Sequence, residues 1–251
     1  MLSAHNVSKS FGGFQALHGC SMEIAAHGIT GIIGPNGAGK STLFNILGGL
    51  FAPDAGELRF AGRDIAGLRP DQLAQLGLVR TFQISRELGE LTVLENMLLA
   101  SPAQSGEAVW RIFLAPARAR GEQAAAIARA RALLEQVQLW PLANEAAKNL
   151  SGGQKKLLEI SRALMLGPKL ILLDEPTAGV SPLMSKSLAA VIAKLRAGGL
   201  TLVIIEHDMD VIAELCNPIY VLAEGRTLMS GTYKEVVANR DVMHAYLGKV
   251  A

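Results

Sequence analysis

The chain has 251 residues, 50% of them apolar, with 24 basic and 22 acidic side chains and a net charge of +2. That is enough apolar surface for the core of one or two domains and far too much for a disordered chain, and the near-balanced charge excludes a general affinity for nucleic acid. The two cysteines, Cys20 and Cys216, lie far apart with no CxxC or histidine-rich companion, so neither a disulfide framework nor a structural zinc site is expected and a reducing compartment fits.

The mean hydropathy is positive at +0.29, yet apolar runs such as Leu170–Leu173 and Leu202–Ile205 fall far short of the ~20 residues that span a bilayer. The opening MLSAHNVSKSFGG lacks the apolar core of a secretory signal. A soluble cytoplasmic chain is therefore predicted, one that can still sit against a membrane partner.

In chain order, Ile29-Thr30-Gly31-Ile32-Ile33 is the first short apolar run, and it leads into a glycine-rich loop. The segment Thr42–Leu47 continues as a helix as far as Gly48-Gly49. Phe60 followed by Ala61-Gly62 suggests a small antiparallel piece. From about Glu87 to Asn149 there is no β-branched run, and Ala, Leu, Arg and Glu dominate. Within it Ala117–Val137 reads as an amphipathic helix, with Ile127, Leu134 and Val137 inward and Arg118, Arg120, Arg129 and Arg131 on a solvated face. Ser151 suits an N-cap, with a helix beginning near Gln154. Leu170–Leu173 ends in Asp174-Glu175-Pro176, and Leu202–Ile205 ends in Glu206-His207-Asp208. Tyr220–Met229, broken at Glu224-Gly225, reads as a hairpin. Continuous apolar runs are what parallel strands buried on both faces require, and their alternation with helices predicts an α/β architecture. Ligands in such sheets sit at the carboxyl ends of the strands, where these three runs place their polar residues.

The segment Gly34-Pro35-Asn36-Gly37-Ala38-Gly39-Lys40-Ser41 matches GxxxxGK[ST] between a predicted strand and a predicted helix. Backbone N–H groups of such a loop, with Asn36, Gly37, Gly39 and Thr42 around it, wrap phosphate at a helix N-terminus. Lys40 reaches the β- and γ-phosphates and the Ser41 hydroxyl is a candidate Mg²⁺ ligand. Asp174 leaves its strand on the same edge and is the second candidate ligand. Glu175 follows it, placed to orient or deprotonate an attacking water.

Leu150-Ser151-Gly152-Gly153-Gln154 resembles the signature motif of ATP-binding-cassette (ABC) ATPases, and the resemblance extends over almost the whole chain. It implies a RecA-like P-loop NTPase fold with an antiparallel β piece and an inserted helical subdomain. The core would span residues 1–86 and 155–251, and the helical part with the signature residues 87–154. It further implies that Phe11 stacks on adenine, although a core aromatic there is the alternative, and that Gln83 in Arg80-Thr81-Phe82-Gln83 touches Mg²⁺. His207 matches the switch histidine that contacts the γ-phosphate. Ser151, Gly153 and Gln154 would cap ATP held by a second subunit, because one chain carries only one copy of each motif. Many members carry Asp where this chain has Ser181, so the usual carboxylate contact across the dimer is not expected here, although the Ser181 hydroxyl could make a weaker hydrogen bond in its place.

Phe11-Gly12-Gly13, Arg80-Thr81-Phe82-Gln83, Leu91–Asn96, Glu206–Asp210 and Ala245-Tyr246-Leu247-Gly248 are similar to the longer ATPase type of branched-chain amino-acid importers. That branch implies two transmembrane permeases, a second cassette ATPase (identical or related) and, indirectly, a solute-binding protein. It implies a place on the cytoplasmic face of the membrane. Urea, amides, aromatic acids or exported lipid and polysaccharide are alternative cargoes, and a soluble ATP-driven motor is the alternative outside transport.

Overall fold

A computed structural model describes residues 1–81, 88–102 and 116–247 of the chain. Strands β1 (Leu2–Phe11) and β2 (Phe14–Ile24) form a hairpin through the two-residue turn Gly12-Gly13, where Gly12 takes φ +58°. With β4 (Ala55–Phe60) and β5 (Arg63–Asp64) they make an antiparallel sheet in the order β2-β1-β4-β5. The second sheet contains β3 (Ile29–Ile33), β6 (Leu78–Arg80), β7 (Leu170–Asp174), β8 (Thr201–Ile205), β9 (Ile219–Ala223) and β10 (Arg226–Gly231). Its order is β10-β9-β3-β8-β7-β6, and every neighbouring pair is parallel except β9 with β10.

Among the described residues the α-helices are α1 (Lys40–Leu47), α2 (Pro70–Leu76), α3 (Val93–Leu99), α4 (Pro116–Gln136), α5 (Gly152–Met165), α6 (Pro182–Ala197), α7 (Met209–Leu215), α8 (Tyr233–Ala238) and α9 (Arg240–Leu247). Among the described residues none is long and apolar enough to cross a membrane.

The parallel sheet separates two apolar cores. Leu170, Leu172, Val203 and Ile205 face the antiparallel sheet, where they meet Leu43 and Phe44 of α1 with Leu17 and Phe60. Ile171, Leu173, Leu202 and Ile204 point the other way, against Leu134 of α4, Leu158 of α5 and Leu188 and Ile192 of α6. Successive residues of one strand are thus buried on opposite faces, which is why these runs are continuously apolar. Burying each such side chain contributes about 1.5–3 kcal/mol, so the three central strands are held firmly and their carboxyl ends form a fixed edge.

Two expectations change in detail. Helix α5 begins at Gly152 rather than near Gln154. The Ser151 hydroxyl accepts from the Gln154 N–H at 3.4 Å while the Gln154 side chain accepts from the Ser151 N–H at 2.9 Å, and this reciprocal box fixes the first turn at Gly152. The arginines of α4 also do more than face water. Arg129 donates to the Leu164 carbonyl at 2.9 Å in the last turn of α5, and Arg131 pairs with Glu135 at 2.8 Å while lying over the Trp140 ring. The first of these places a cation on a helix C-terminus, where it is favourable.

Candidate functional site

Three strand ends supply the site: β3 runs into Gly34, β7 into Glu175 and β8 into Glu206-His207. The loop after β3 can close only with glycine. Gly34 has φ +153°, and a Cβ there would stand 2.2 Å from the Leu222 carbonyl oxygen of β9. Gly39 has φ +94°, and its Cβ would stand 2.7 Å from the Ala16 carbonyl oxygen of β2. The loop is pinned by the Ala38 N–H donating to the Pro35 carbonyl at 3.2 Å, and by the Gly225 N–H donating to the Ala38 carbonyl at 3.1 Å. Lys40, only 7% exposed, folds back over the loop and donates to the carbonyls of Gly34 at 2.6 Å and Pro35 at 3.0 Å. Burial pushes its pKa down, opposed by the nearby Glu175 carboxylate. That ammonium is held near the loop's mouth at a desolvation cost that a phosphate would offset.

Glu175 sits at φ +47°, a left-handed conformation that costs a non-glycine residue about 1–3 kcal/mol and is found where a site over-determines the backbone. Its N–H donates to the Ile205 carbonyl at 2.9 Å, so the strained residue is tied to the end of β8. Its Oε1 lies 3.0 Å from His207 Nε2, a hydrogen-bonded separation that links the two strand ends directly. Behind them Glu206, 3% exposed, accepts from the Thr177 N–H at 2.7 Å, the Thr177 hydroxyl at 2.6 Å and the His207 N–H at 3.0 Å. This buried carboxylate is fully hydrogen-bonded and joins the turn after Glu175 to the turn that carries His207.

Asp174, 4% exposed, stands just before Glu175. Its Oδ2 accepts from Arg80 Nη2 at 2.9 Å, and Arg80 Nη1 donates to Asn45 Oδ1 of α1 at 2.6 Å. The guanidinium also lies over the Phe44 ring, 5.4 Å from its centroid. Arg80 therefore clamps β6, β7 and α1 together and orients the aspartate.

A cavity of about 290 Å³ opens over the loop. Asn36, Gly37, Gly39, Lys40, Ser41 and Thr42 line it, together with Glu175, His207, Phe14 and Ala16. Eight of the sequence-predicted site residues thus line one cavity, and Asp174 is the residue before Glu175 at the end of β7. Ser151, Gly153 and Gln154 do not line that cavity. Ser151 is exposed at the start of α5, and Gly153 packs against Met184, so closely that a Cβ would stand 2.1 Å from Met184 Cγ. Phe11 does not line it either: its ring meets Phe51 edge-on at 5.2 Å. Gln83 lies outside the described residues. The Ser181 hydroxyl is engaged as the N-cap of α6, accepting from the Met184 N–H at 3.4 Å.

Sequence reasoning did not single out Arg80, Glu206 or Phe14 as site residues. An arginine closing the apolar pair Leu78-Val79, and a carboxylate closing the run Leu202–Ile205, are the signals that could have found the first two. Among the described residues there is no cluster of three or more His, Cys, Asp or Glu side chains that could hold a metal by themselves. The available donors are hard oxygens, Ser41 in the cavity lining and Asp174 at the end of β7, as suits Mg²⁺ that takes most of its ligands from phosphate and water.

Residues 17–178 match the ABC transporter family. A probable branched-chain amino acid transport ATP-binding protein, LivG, of Archaeoglobus fulgidus is 39% identical over 99% of this chain and 95% of its own length. The high-affinity branched-chain amino acid transport ATP-binding protein LivG of Escherichia coli K12 is 38% identical over 99% of this chain and 98% of its own. Among solved structures, a nucleotide-free ATP-binding cassette from an ABC transporter superposes with a TM-score of 0.86 at 37% identity, covering 99% of both chains. A dimeric cassette in a post-hydrolysis state bound to ADP and Pi superposes with a TM-score of 0.75 at 28% identity, covering 93% of this chain and 99% of that one. A phosphate loop closed by obligatory glycines, a carboxylate and a histidine meeting across it, and full-length similarity of this kind all agree: the chain belongs to the ABC transporter family and is one of its ATP-binding, ATP-hydrolysing subunits.

Proposed function

We propose that this chain powers an importer of branched-chain amino acids, as a peripheral subunit on the cytoplasmic face of the membrane beneath two permeases. The proposed working unit is a head-to-tail pair of cassettes, either two copies or this chain with a related ATPase, served from outside by a solute-binding protein. No nucleic acid takes part. The observation that carries this reading is the separation of its parts: the cavity is lined by the phosphate loop, Glu175 and His207, while Ser151, Gly153 and Gln154 are not among the residues that line it. A second subunit would bring its own Ser151, Gly153 and Gln154 to the open side of the cavity. The full-length likeness to the LivG proteins supports the cargo.

In this mechanism Lys40 leaves the carbonyls of Gly34 and Pro35 for phosphate oxygens, and the amides of the loop hold the rest of the triphosphate. Ser41, Asp174 and Gln83 are the residues that would hold Mg²⁺, which would supply neutralisation of the phosphate charge. Glu175 orients water in line with the γ-phosphorus and accepts its proton as the bond to the ADP oxygen breaks. His207 donates a hydrogen bond to the transferring group. Most of the acceleration comes from positioning and fixed electrostatics. Loss of the γ-phosphate removes the charge shared by the two subunits, and the pair opens. Residues 87–154 act as the helical part and pass this motion to the permeases.

The test is co-purification of tagged Glu175→Gln chain from membranes solubilised with ATP. Two multi-span permeases and a cassette partner are expected. Recovery of soluble proteins or nucleic acid alone would overturn the transport reading and favour a soluble motor.

A further inference from the structure

We propose that Lys156, in the helix capped by Ser151, is a positioning residue for Glu175: it holds the peptide carbonyl of Glu175 and so sets where that carboxylate points. The assignment rests on Glu175 acting on the attacking water. Glu175 sits at φ +47°, a conformation that persists only while its neighbours hold it there. Its N–H is held by the Ile205 carbonyl at 2.9 Å. The next residue is Pro176, which has no N–H, so the peptide that follows Glu175 can be hydrogen-bonded only through its carbonyl oxygen. Among the described residues two donors reach that oxygen: the Ala178 N–H at 3.1 Å, and Lys156 Nζ at 3.4 Å from α5.

The two contacts differ in kind. The Ala178 bond closes the turn on itself, so it travels with the turn and fixes nothing against the rest of the chain. Lys156 comes from another element, and its charge strengthens a contact that is long for a hydrogen bond. Its helix is anchored by Leu157 and Leu158 in the core that also takes Leu173 of β7, so the ammonium reaches Glu175 from a fixed base. On the far side, Glu175 Oε1 meets His207 Nε2 at 3.0 Å, and a turn of the 175–176 peptide would draw the carboxylate off that partner. The segment leading from Glu175 into α6 touches α5 a second time, where Met184 packs on Gly153. The first turns of α5 thus grip that segment at both ends, and a displacement at Ser151 reaches Glu175 of the same chain through one lysine.

Steady-state ATPase assays of the full chain, with ATP affinity measured by calorimetry, test this. Lys156→Met removes the donor while keeping a long unbranched side chain. It is expected to lower kcat about 10- to 100-fold, the scale of a misplaced reacting group, with KM and ATP affinity within about twofold of the parent. Lys156→Arg, which can donate to the same carbonyl, should recover most of the turnover. Lys156→Gln, shorter and polar, repeats the test should Lys156→Met melt early. The double variant separates positioning from packing. With Glu175→Gln there is no carboxylate left to place, so adding Lys156→Met should lower the residual turnover by less than about twofold. Turnover close to the parent's in Lys156→Met, a matching loss of ATP affinity, or a full further loss in the double variant would overturn the assignment. If Glu175→Gln alone turned over like the parent, the role of Glu175 would fall first and that of Lys156 with it.

Discussion

The phosphate loop and the start of α5 are both glycine-rich entries into a helix, yet they are built in opposite senses. The loop is enclosed by its own chain. Carbonyls from β2 and β9 press on Gly39 and Gly34, the 224–225 turn touches Ala38, and Lys40 is buried over the top. The start of α5 is turned outward, with Ser151 and Gly152 exposed and their hydrogen bonds closed on Gln154. One motif is a finished receptacle. The other is a finished surface, and a surface of this kind acts only on another molecule.

That contrast can be broken most sharply at the hydrolytic step. Glu175→Gln should lower turnover by about 10²- to 10⁴-fold, the usual worth of a general base, while ATP binding persists by calorimetry. On the outward motif, Ser151→Arg should leave ATP binding to the isolated chain intact, yet lower turnover about 10²- to 10³-fold and abolish ATP-dependent dimers in gel filtration. Equal loss of ATP binding in both variants would show that the signature belongs to the same half-site after all.

Arg80→Met sharpens the inner side. It leaves Asp174 buried without its partner, which costs about 3–5 kcal/mol of stability by chemical denaturation. It should also raise the Mg²⁺ concentration for half-maximal ATPase activity about 10- to 100-fold, since Arg80 orients a candidate metal ligand. A purely structural arginine would lower stability without moving the Mg²⁺ dependence.

On the outer side, Gly153→Ala drives a methyl into Met184 and should cost about 1–3 kcal/mol by thermal melting. Adding Met184→Ala should recover part of that loss. The smallest effect concerns the cysteines. Both are buried, and burial with the nearby Glu206 carboxylate pushes the Cys216 thiol up to about 12. The thiolate is therefore absent at pH 8, and alkylation in the native state should be negligible until denaturant is added.

The inner half of the site was readable because its signals are local. Runs buried on both faces, a loop of fixed spacing and carboxylates at strand ends each lie within a few residues of chain. Strands β1 and β2 were not read because their alternation is interrupted by irregularities at Ala4/Val7, Val7/Ser8 and Lys9/Ser10, so no period of two survives in His5–Ser10. Arg80 and Glu206 were missed for a different reason. Their partners Asp174 and Thr177 are 94 and 29 positions away, and only the folded sheet brings them together. Phe11 falls between these cases: motif resemblance singles it out, but its edge contact with Phe51, which no motif mentions, appears only in the fold.

The double hold of Glu206 has a consequence for inheritance as much as for chemistry. A substitution at Thr177 or Glu206 touches no ligand, yet it slackens both arms that face the cavity in a single step. Change at one of these two positions therefore invites compensation at the other, and the pair should drift together or stay put.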